Sequence, residues 1–300
     1  MENNMKTKVG IVGLCGQSIF MRINHFHKPE ETLHASDVHQ EVGGKGYNQA
    51  VAVKRLGGEP YFLSAVGNDT YGNNCCDYLT NQGIKHGIIK KPGKTALAVI
   101  LRDKNGNNQV TVYPGNTLEE KDLPIFFKEG NDFDFLLLNQ EIPPTVLNSV
   151  LEWAKKNKIK VILNPAPVTS FTSQIIQYAW LITPNWHEVR ELFALNEVHH
   201  LDDLISVLPK LNFPRMVVTL GKEGALVLEE GKVHHLPAIK VKVVDTTGAG
   251  DIFNAALVVG LGEKMTLLEA TKFALKASGL NITKDYVMPS IPYREELMKL

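Results

Sequence analysis

Residues 245–261 read Asp245-Thr246-Thr247-Gly248-Ala249-Gly250-Asp251 and then IFNAALVVGL, a turn of small side chains running into an apolar helical pattern. Small residues at 248–250 let the backbone come close to an anion. The helix that follows aims unpaired amides and the positive end of its dipole at the same point. Such a nest suits negative charge developing on a transferring phosphoryl group. Asp251 falls in the first turn, where a carboxylate can accept a proton from an attacking hydroxyl. A helix cap alone needs no run of three small residues before it.

Upstream of this turn, short apolar runs alternate with amphipathic helical patterns. Strands are predicted at 7–14, 60–66, 133–138, 160–163, 179–182 and 215–220. Helices are predicted at 44–56 and near 70–82, 144–157, 200–211, 249–261 and 266–281. Strands separated by helices imply parallel crossovers, and so a three-layer α/β/α domain around a mostly parallel sheet. Residues 15–42 and 95–113 break the alternation with β-type patterns and no helix between them. Asn105-Gly106 is a hairpin turn signal. These two segments read as a small β-sheet lid beside the main sheet, in one domain over 1–300. Exposed strands of this kind need covering, and a second copy of the chain is the natural cover, which predicts a homodimer through the lid.

The bulk composition bounds the rest. A 44% hydrophobic and 21% charged chain of 300 residues can build a sizeable core. With 32 basic and 32 acidic residues the net charge is zero, so there is no electrostatic footprint for nucleic acid. Cys15, Cys75 and Cys76 are odd in number and lack the paired spacing of a disulfide framework or zinc site. The N-terminal stretch is too short and too poorly flanked for a signal peptide, and no apolar run approaches the length of a membrane span. A cytoplasmic protein without membrane partners is expected.

Two glycine patterns fail on spacing. Gly10-x-x-Gly13-x-x-Gly16 lacks the G-x-G-x-x-G geometry of a dinucleotide turn, and strand-like sequence follows it. Gly93-Lys94-Thr95 has Ile88 where a phosphate loop needs glycine, and it too leads into a strand. The histidine pairs 199–200 and 234–235 point apart and cannot easily share a metal. His25 and His27 read as surface residues of a lid strand. The segment Gly43-Gly44-Lys45-Gly46-Tyr47-Asn48-Gln49-Ala50 is different. It is a glycine turn into a helix that carries Lys45 and Asn48 close to a polar ligand.

Together the 43–50 and 245–251 segments resemble the two signatures of the ribokinase-like, or PfkB, carbohydrate kinases, and among these the ribokinases. The resemblance covers nearly the whole chain. It implies ATP and magnesium as cofactors and a small sugar-like acceptor. Gly248, Ala249 and Gly250 would form the anion hole, Asp251 would be the base, and Gly44, Lys45 and Asn48 would contact the sugar. Glu141 in LLLNQEIP matches a family carboxylate near the sugar hydroxyls. Asn185-Trp186-His187-Glu188 matches the family N-x-x-E motif, which implies magnesium at Glu188 through water, with Asn185 beside the nucleotide. Thr219, Gly221 and Gly224 resemble its nucleotide-binding turn. Pro289-Ser290-Ile291-Pro292 matches a segment that, with the carbonyl groups around Asp245 and Thr247, surrounds a monovalent cation, which implies potassium.

The pattern is broken in two places. Tyr286 stands where a glycine is usual near the ion loop. Gly16-Gln17-Ser18 replaces the Asn-x-Asp whose aspartate binds two ribose hydroxyls, so Ser18 takes a carboxylate's place. That change removes a charge-assisted acceptor worth roughly 1.5–3 kcal/mol, about tenfold to a hundredfold in affinity. Gln17, Ser18 or Asn24 would have to compensate for a differently shaped acceptor. The altered segment implies an acceptor other than ribose. A nucleoside kinase of the same fold would want an aromatic-lined pocket, for which Phe20 and Phe26 are the two candidates on the lid. A non-catalytic sugar- or nucleotide-binding regulator would not need Asp251, the small-residue nest and Glu188.

Overall fold

The computed structural model describes residues 6–299. Met1–Met5, part of the stretch weighed above as a leader, lie outside the described residues. Among the described residues thirteen strands run β1 (Lys8–Val12), β2 (Gly16–Arg22), β3 (Asp37–Gly43), β4 (Glu59–Gly67), β5 (Lys85–Lys91), β6 (Ala96–Arg102) and β7 (Asn108–Tyr113). The series continues with β8 (Phe135–Leu138), β9 (Lys160–Leu163), β10 (Leu181–Ile182), β11 (Arg215–Thr219), β12 (Ala225–Glu229) and β13 (Lys232–Leu236). Nine of them form one sheet in the order β13-β12-β11-β10-β9-β8-β1-β4-β5, and β3-β2-β6-β7 form a second, smaller sheet.

The strands from β11 through β5 pair in parallel, and the β12–β13 hairpin adds an antiparallel edge. Alternate residues of each strand feed opposite cores. Val9, Ile11, Leu137, Ile162 and Val217 pack on one face; Val12, Leu136, Leu138, Leu163 and Val218 pack on the other. Burial on both faces is why these strands read as continuous apolar runs.

The helix Ala249–Gly262 is apolar on all sides and buried from Asp251 to Leu261. It packs between the helices Lys45–Arg55 and Leu267–Asn281. A helix apolar all round belongs inside the molecule, and here its N-terminus surfaces at the carboxyl ends of the parallel strands. Gly13 and Gly46 make a related close approach possible: a Cβ on Gly13 would sit 2.7 Å from the Gly46 Cα. That contact lays the start of the Lys45–Arg55 helix directly on the end of β1.

The sheet order reverses at β1, which has β4 on one side and β8 on the other. Ligands of open α/β sheets bind outside the strand carboxyl ends at such a reversal. β5 and the β12–β13 hairpin were not anticipated from sequence. β5 (KHGIIKK) is half polar, and β12 is separated from β11 by only a tight 3₁₀ turn with no α-helix. The 200–211 helix stops at Val207 and tightens into a 3₁₀ turn. The strand expectation over 15–42 is corrected between residues 23 and 35. There the chain leaves the sheet, and the His25 ring pairs with Glu31 at 2.8 Å.

Candidate active site

Gly248 caps the Ala249–Gly262 helix in the left-handed region (φ 78°), and a Cβ there would lie 2.7 Å from Val287 Cγ1. A Cβ on Gly250 would meet nothing within 4 Å, so this glycine faces open space. Among the described residues the amides of Gly248, Gly250 and Asp251 donate to no protein acceptor. The Ala249 amide instead donates to the Thr246 carbonyl at 3.2 Å. Of the three residues predicted to form the anion hole, Ala249 therefore contributes its small size and not a free N–H.

Asp251 lies at the floor of the site. Its Oδ2 accepts a 2.8 Å hydrogen bond from Asn48 Nδ2, and its Oδ1 accepts a longer one, 3.4 Å, from Gln49. Burial pushes its carboxyl up to about 7, against the pull of Lys45 and the Asn48 bond. Asn48 thus holds the acid. Gly44, in the left-handed region (φ 115°), sits against the Leu14 carbonyl and turns the chain into the Lys45 helix. Glu141 receives the Lys45 backbone amide at 2.8 Å and the Lys45 ammonium at 3.3 Å. Its own amide donates to Asn139 Oδ1 just after β8.

Asn185 and Glu188 form a reciprocal capping box on the helix Trp186–Leu192. Asn185 Oδ1 accepts from the His187 and Glu188 amides, and Glu188 accepts from the Asn185 amide at 2.8 Å. Burial raises the Glu188 carboxyl above its ordinary value, partly offset by that amide and by Lys45. Thr219 ends β11 beside Asn185. Gly221 (φ 58°) and Gly224 (φ 94°) shape the turn into β12. A Cβ on Gly224 would collide with the Leu236 carbonyl, so that glycine is also required by the hairpin.

A cavity of about 220 Å³ joins some of these parts, while Glu141 lines a different one. Lys45, Asn185, Glu188, Thr219, Gly250 and Asp251 line it. Asn164, Thr183 and Asn254 line it too, and the sequence reading missed them. Asn48 Oδ1, Thr183 Oγ1 and Asn254 Oδ1 are buried without a hydrogen-bond partner. Thr183 and Asn254 line this cavity, and orphaned buried oxygens on one cleft mark a place where a ligand completes the bonding. Asn254, a lone polar residue within IFNAALVVGL three positions after Asp251, was the legible signal for this group.

Ser18 lies on β2 beside the glycine turn, its Oγ 2.9 Å from where a Gly43 Cβ would stand. Gln17 has its amide NH2 engaged, donating to the Glu41 carbonyl at 2.9 Å. Asn24 is corrected as a compensating ligand. It lies past the end of β2 beside His34, Ser36 and Lys104, in a different cavity from Asp251. Phe20 is buried edge-on against Tyr286 at 5.4 Å between ring centres, so its ring is engaged within the protein. On the predicted ion loop, Asp245 is buried and accepts the Thr247 amide (3.0 Å) and hydroxyl (2.7 Å). Ser290 is buried beside Asn281. Tyr286 adopts the left-handed conformation (φ 64°) that glycine takes without cost.

The sequence profile of the pfkB family carbohydrate kinases matches residues 6–294. The chain is 33% identical to the ribokinase of Lactococcus lactis over 298 residues, covering 97% of this chain and 96% of that one. The crystal structure of ribokinase from Thermotoga maritima superposes with a TM-score of 0.86 at 34% identity, covering 98% of both chains. The Arabidopsis thaliana ribokinase complexed with ribose and ATP superposes with a TM-score of 0.84 at 26% identity, covering 98% of each. With an acid and free helix amides at the strand carboxyl ends, and a profile match over nearly its full length, the chain belongs to the PfkB family of carbohydrate kinases.

Proposed function

We propose that this kinase moves the γ-phosphoryl group of ATP to a hydroxyl of a small sugar other than ribose, with Asp251 as the general base. The observation that carries the reading is the Asp251 carboxyl. It is buried, pushed up to about 7, and held by Asn48 at 2.8 Å in the cleft that the free helix amides also face. A base poised near neutral pH is matched to taking a proton from an alcohol as it attacks. The Gly248, Gly250 and Asp251 amides stabilise charge that builds on the transferring group. Lys45, itself oriented by Glu141, holds the acceptor hydroxyl within reach. Asn185, Thr219 and the Gly221–Gly224 turn provide the nucleotide side of the cleft.

The oxygen-rich donor set suits magnesium. Glu188 supplies a carboxylate, and Thr183 and Asn254 offer unpartnered oxygens on the same cavity. Magnesium is commonly bound by one or two carboxylates plus substrate phosphates, so Glu188 with these neighbours suffices. When bound, it would neutralise charge on the phosphates.

Ser18 in place of an aspartate is the reason ribose is disfavoured. The four-stranded sheet, whose β2 and β3 run up to the glycine turn, acts as the lid that keeps water from the transferring group. Its outer strand β7 exposes Val110, Val112 and Tyr113, which suits cover by a second copy, and sedimentation velocity tests that homodimer. Free thiols at all three cysteines fit a reducing cytoplasm. Among the described residues no helix is long and apolar enough to cross a membrane.

The test is a coupled ADP-release assay over pentoses, hexoses, their phosphates and nucleosides, with product mass confirmed. One sugar should turn over at least about tenfold more efficiently than ribose. Tight sugar binding with no ADP formed from any acceptor would instead favour a non-catalytic binder.

A further inference from the structure

Arg102 ends β6 in the small sheet, yet its guanidinium reaches the loop that leads to the proposed base. Nη2 donates to the Val244 carbonyl at 2.7 Å. Nη1 lies 3.4 Å from Asp245 Oδ2 and 3.3 Å from Asp285 Oδ1. The neighbouring strand contributes Arg22, its register partner, to the same Asp285 at 2.9 Å. This is the loop where the family resemblance implies potassium among carbonyl and side-chain oxygens, and the side-chain oxygens here are already engaged. Both Asp245 oxygens are engaged, Oδ1 by Thr247 and Oδ2 by Arg102. The Ser290 hydroxyl donates to the Val287 carbonyl at 2.8 Å and receives the Asn281 amide. Tyr286, in the glycine's place, stacks on His39 at 3.8 Å and donates to Asp37 at 2.8 Å, which pins this side of the loop to β3.

We propose that Arg102 is a built-in monovalent cation for the 244–251 segment, taking the role of a diffusible potassium ion. A buried carboxylate requires a compensating charge, and a guanidinium carries one positive charge at every accessible pH. Being tethered, it needs no ion concentration to be present. It orders the turn that sets Gly248 and Asp251, and it links that turn to the small sheet.

The experiment compares wild type, Arg102→Met and Arg102→Lys in KCl and in tetramethylammonium chloride at equal ionic strength. Three readouts are taken: thermal unfolding, thallium(I) binding by crystallographic anomalous scattering, and ADP release with the accepted sugar. Wild type should show no potassium-specific rise in Tm, no thallium beside Asp245, and turnover that changes less than about twofold. Arg102→Met should gain a potassium-dependent activation of about 5- to 150-fold and a potassium-specific Tm rise of roughly 2 °C or more. Arg102→Lys should restore most of the potassium independence.

Potassium-specific stabilisation or activation of the wild type, or thallium at Asp245 in it, overturns the proposal. So does a folded Arg102→Met that stays inactive in both salts. If Arg102→Met does not fold, the wild-type and Arg102→Lys results decide. Only the activity arm rests on the kinase reading. With no acceptor turned over that reading fails, while unfolding and thallium binding still decide the role of Arg102.

Discussion

Replacing Asp251 by Asn removes the proposed base with almost no change in shape. The carboxamide oxygen can keep the 2.8 Å bond from Asn48, leaving its NH2 on the side of Gln49, whose contact is the weaker one at 3.4 Å. Turnover should fall by about a hundredfold to ten-thousandfold, the usual worth of a positioned base, while ATP affinity is retained. Stability should move the other way. The acid's folded value, about 7, is raised above its ordinary 3.8, so folding favours the protonated form. Stability from this group is therefore complete below pH 3.8 and is lost as pH rises through about 7. A shift of three units corresponds to about 4 kcal/mol, an upper bound on what the neutral amide recovers above pH 7. At pH 8 the variant should unfold at the same temperature as wild type or higher. In wild type, kcat/KM should fall about tenfold per pH unit below 7 and level off above it, because it follows the ionised base of the free enzyme. Steady-state kinetics from pH 5.5 to 9, with differential scanning fluorimetry on both proteins, checks all of this. A variant that keeps more than about a tenth of wild-type kcat, or a flat wild-type profile across this range, refutes the assignment.

Further expected outcomes separate folding from ligand contact. Gly250→Ala should fold with an unchanged or slightly raised Tm, since a Cβ there meets nothing, yet lose ATP-dependent turnover because it fills space the phosphates need. Gly248→Ala should instead lower the Tm by roughly 3 °C or more, since the left-handed backbone costs about 1–2 kcal/mol and its Cβ meets Val287. Glu188→Gln can keep the bond from the Asn185 amide, so thermal unfolding should change little while the magnesium needed for half-maximal rate rises roughly tenfold or more. Ser18→Asp should raise kcat/KM for ribose by about tenfold to a hundredfold and lower it for the preferred acceptor; a ribose value unchanged by this substitution would remove Ser18 from the specificity argument.

The alternation of apolar runs and helical patterns determined the three-layer class, because a strand buried on both faces has no polar alternative to its apolar residues. The 245–251 and 43–50 segments determined where the proposed chemistry lies. Glycine at a left-handed cap and an acid in the first helical turn are local requirements, visible without knowing the neighbours. What tertiary structure decided is everything that depends on partners far apart in the chain. Asn48 meets Asp251 across 203 positions, and only that contact shows that it holds the proposed base. The Gln17 NH2 looked available until the carbonyl of Glu41, on the adjacent strand, was seen to occupy it. Ala249 looked like an anion-hole donor until its amide turned back on Thr246. Arg102, an unremarked residue before a polar turn, reaches Asp245 because the small sheet folds its far end onto the 244–251 segment. Local sequence specifies backbone conformation through sterics and capping. Whether a polar side chain is free, engaged or orphaned depends on what the fold brings beside it.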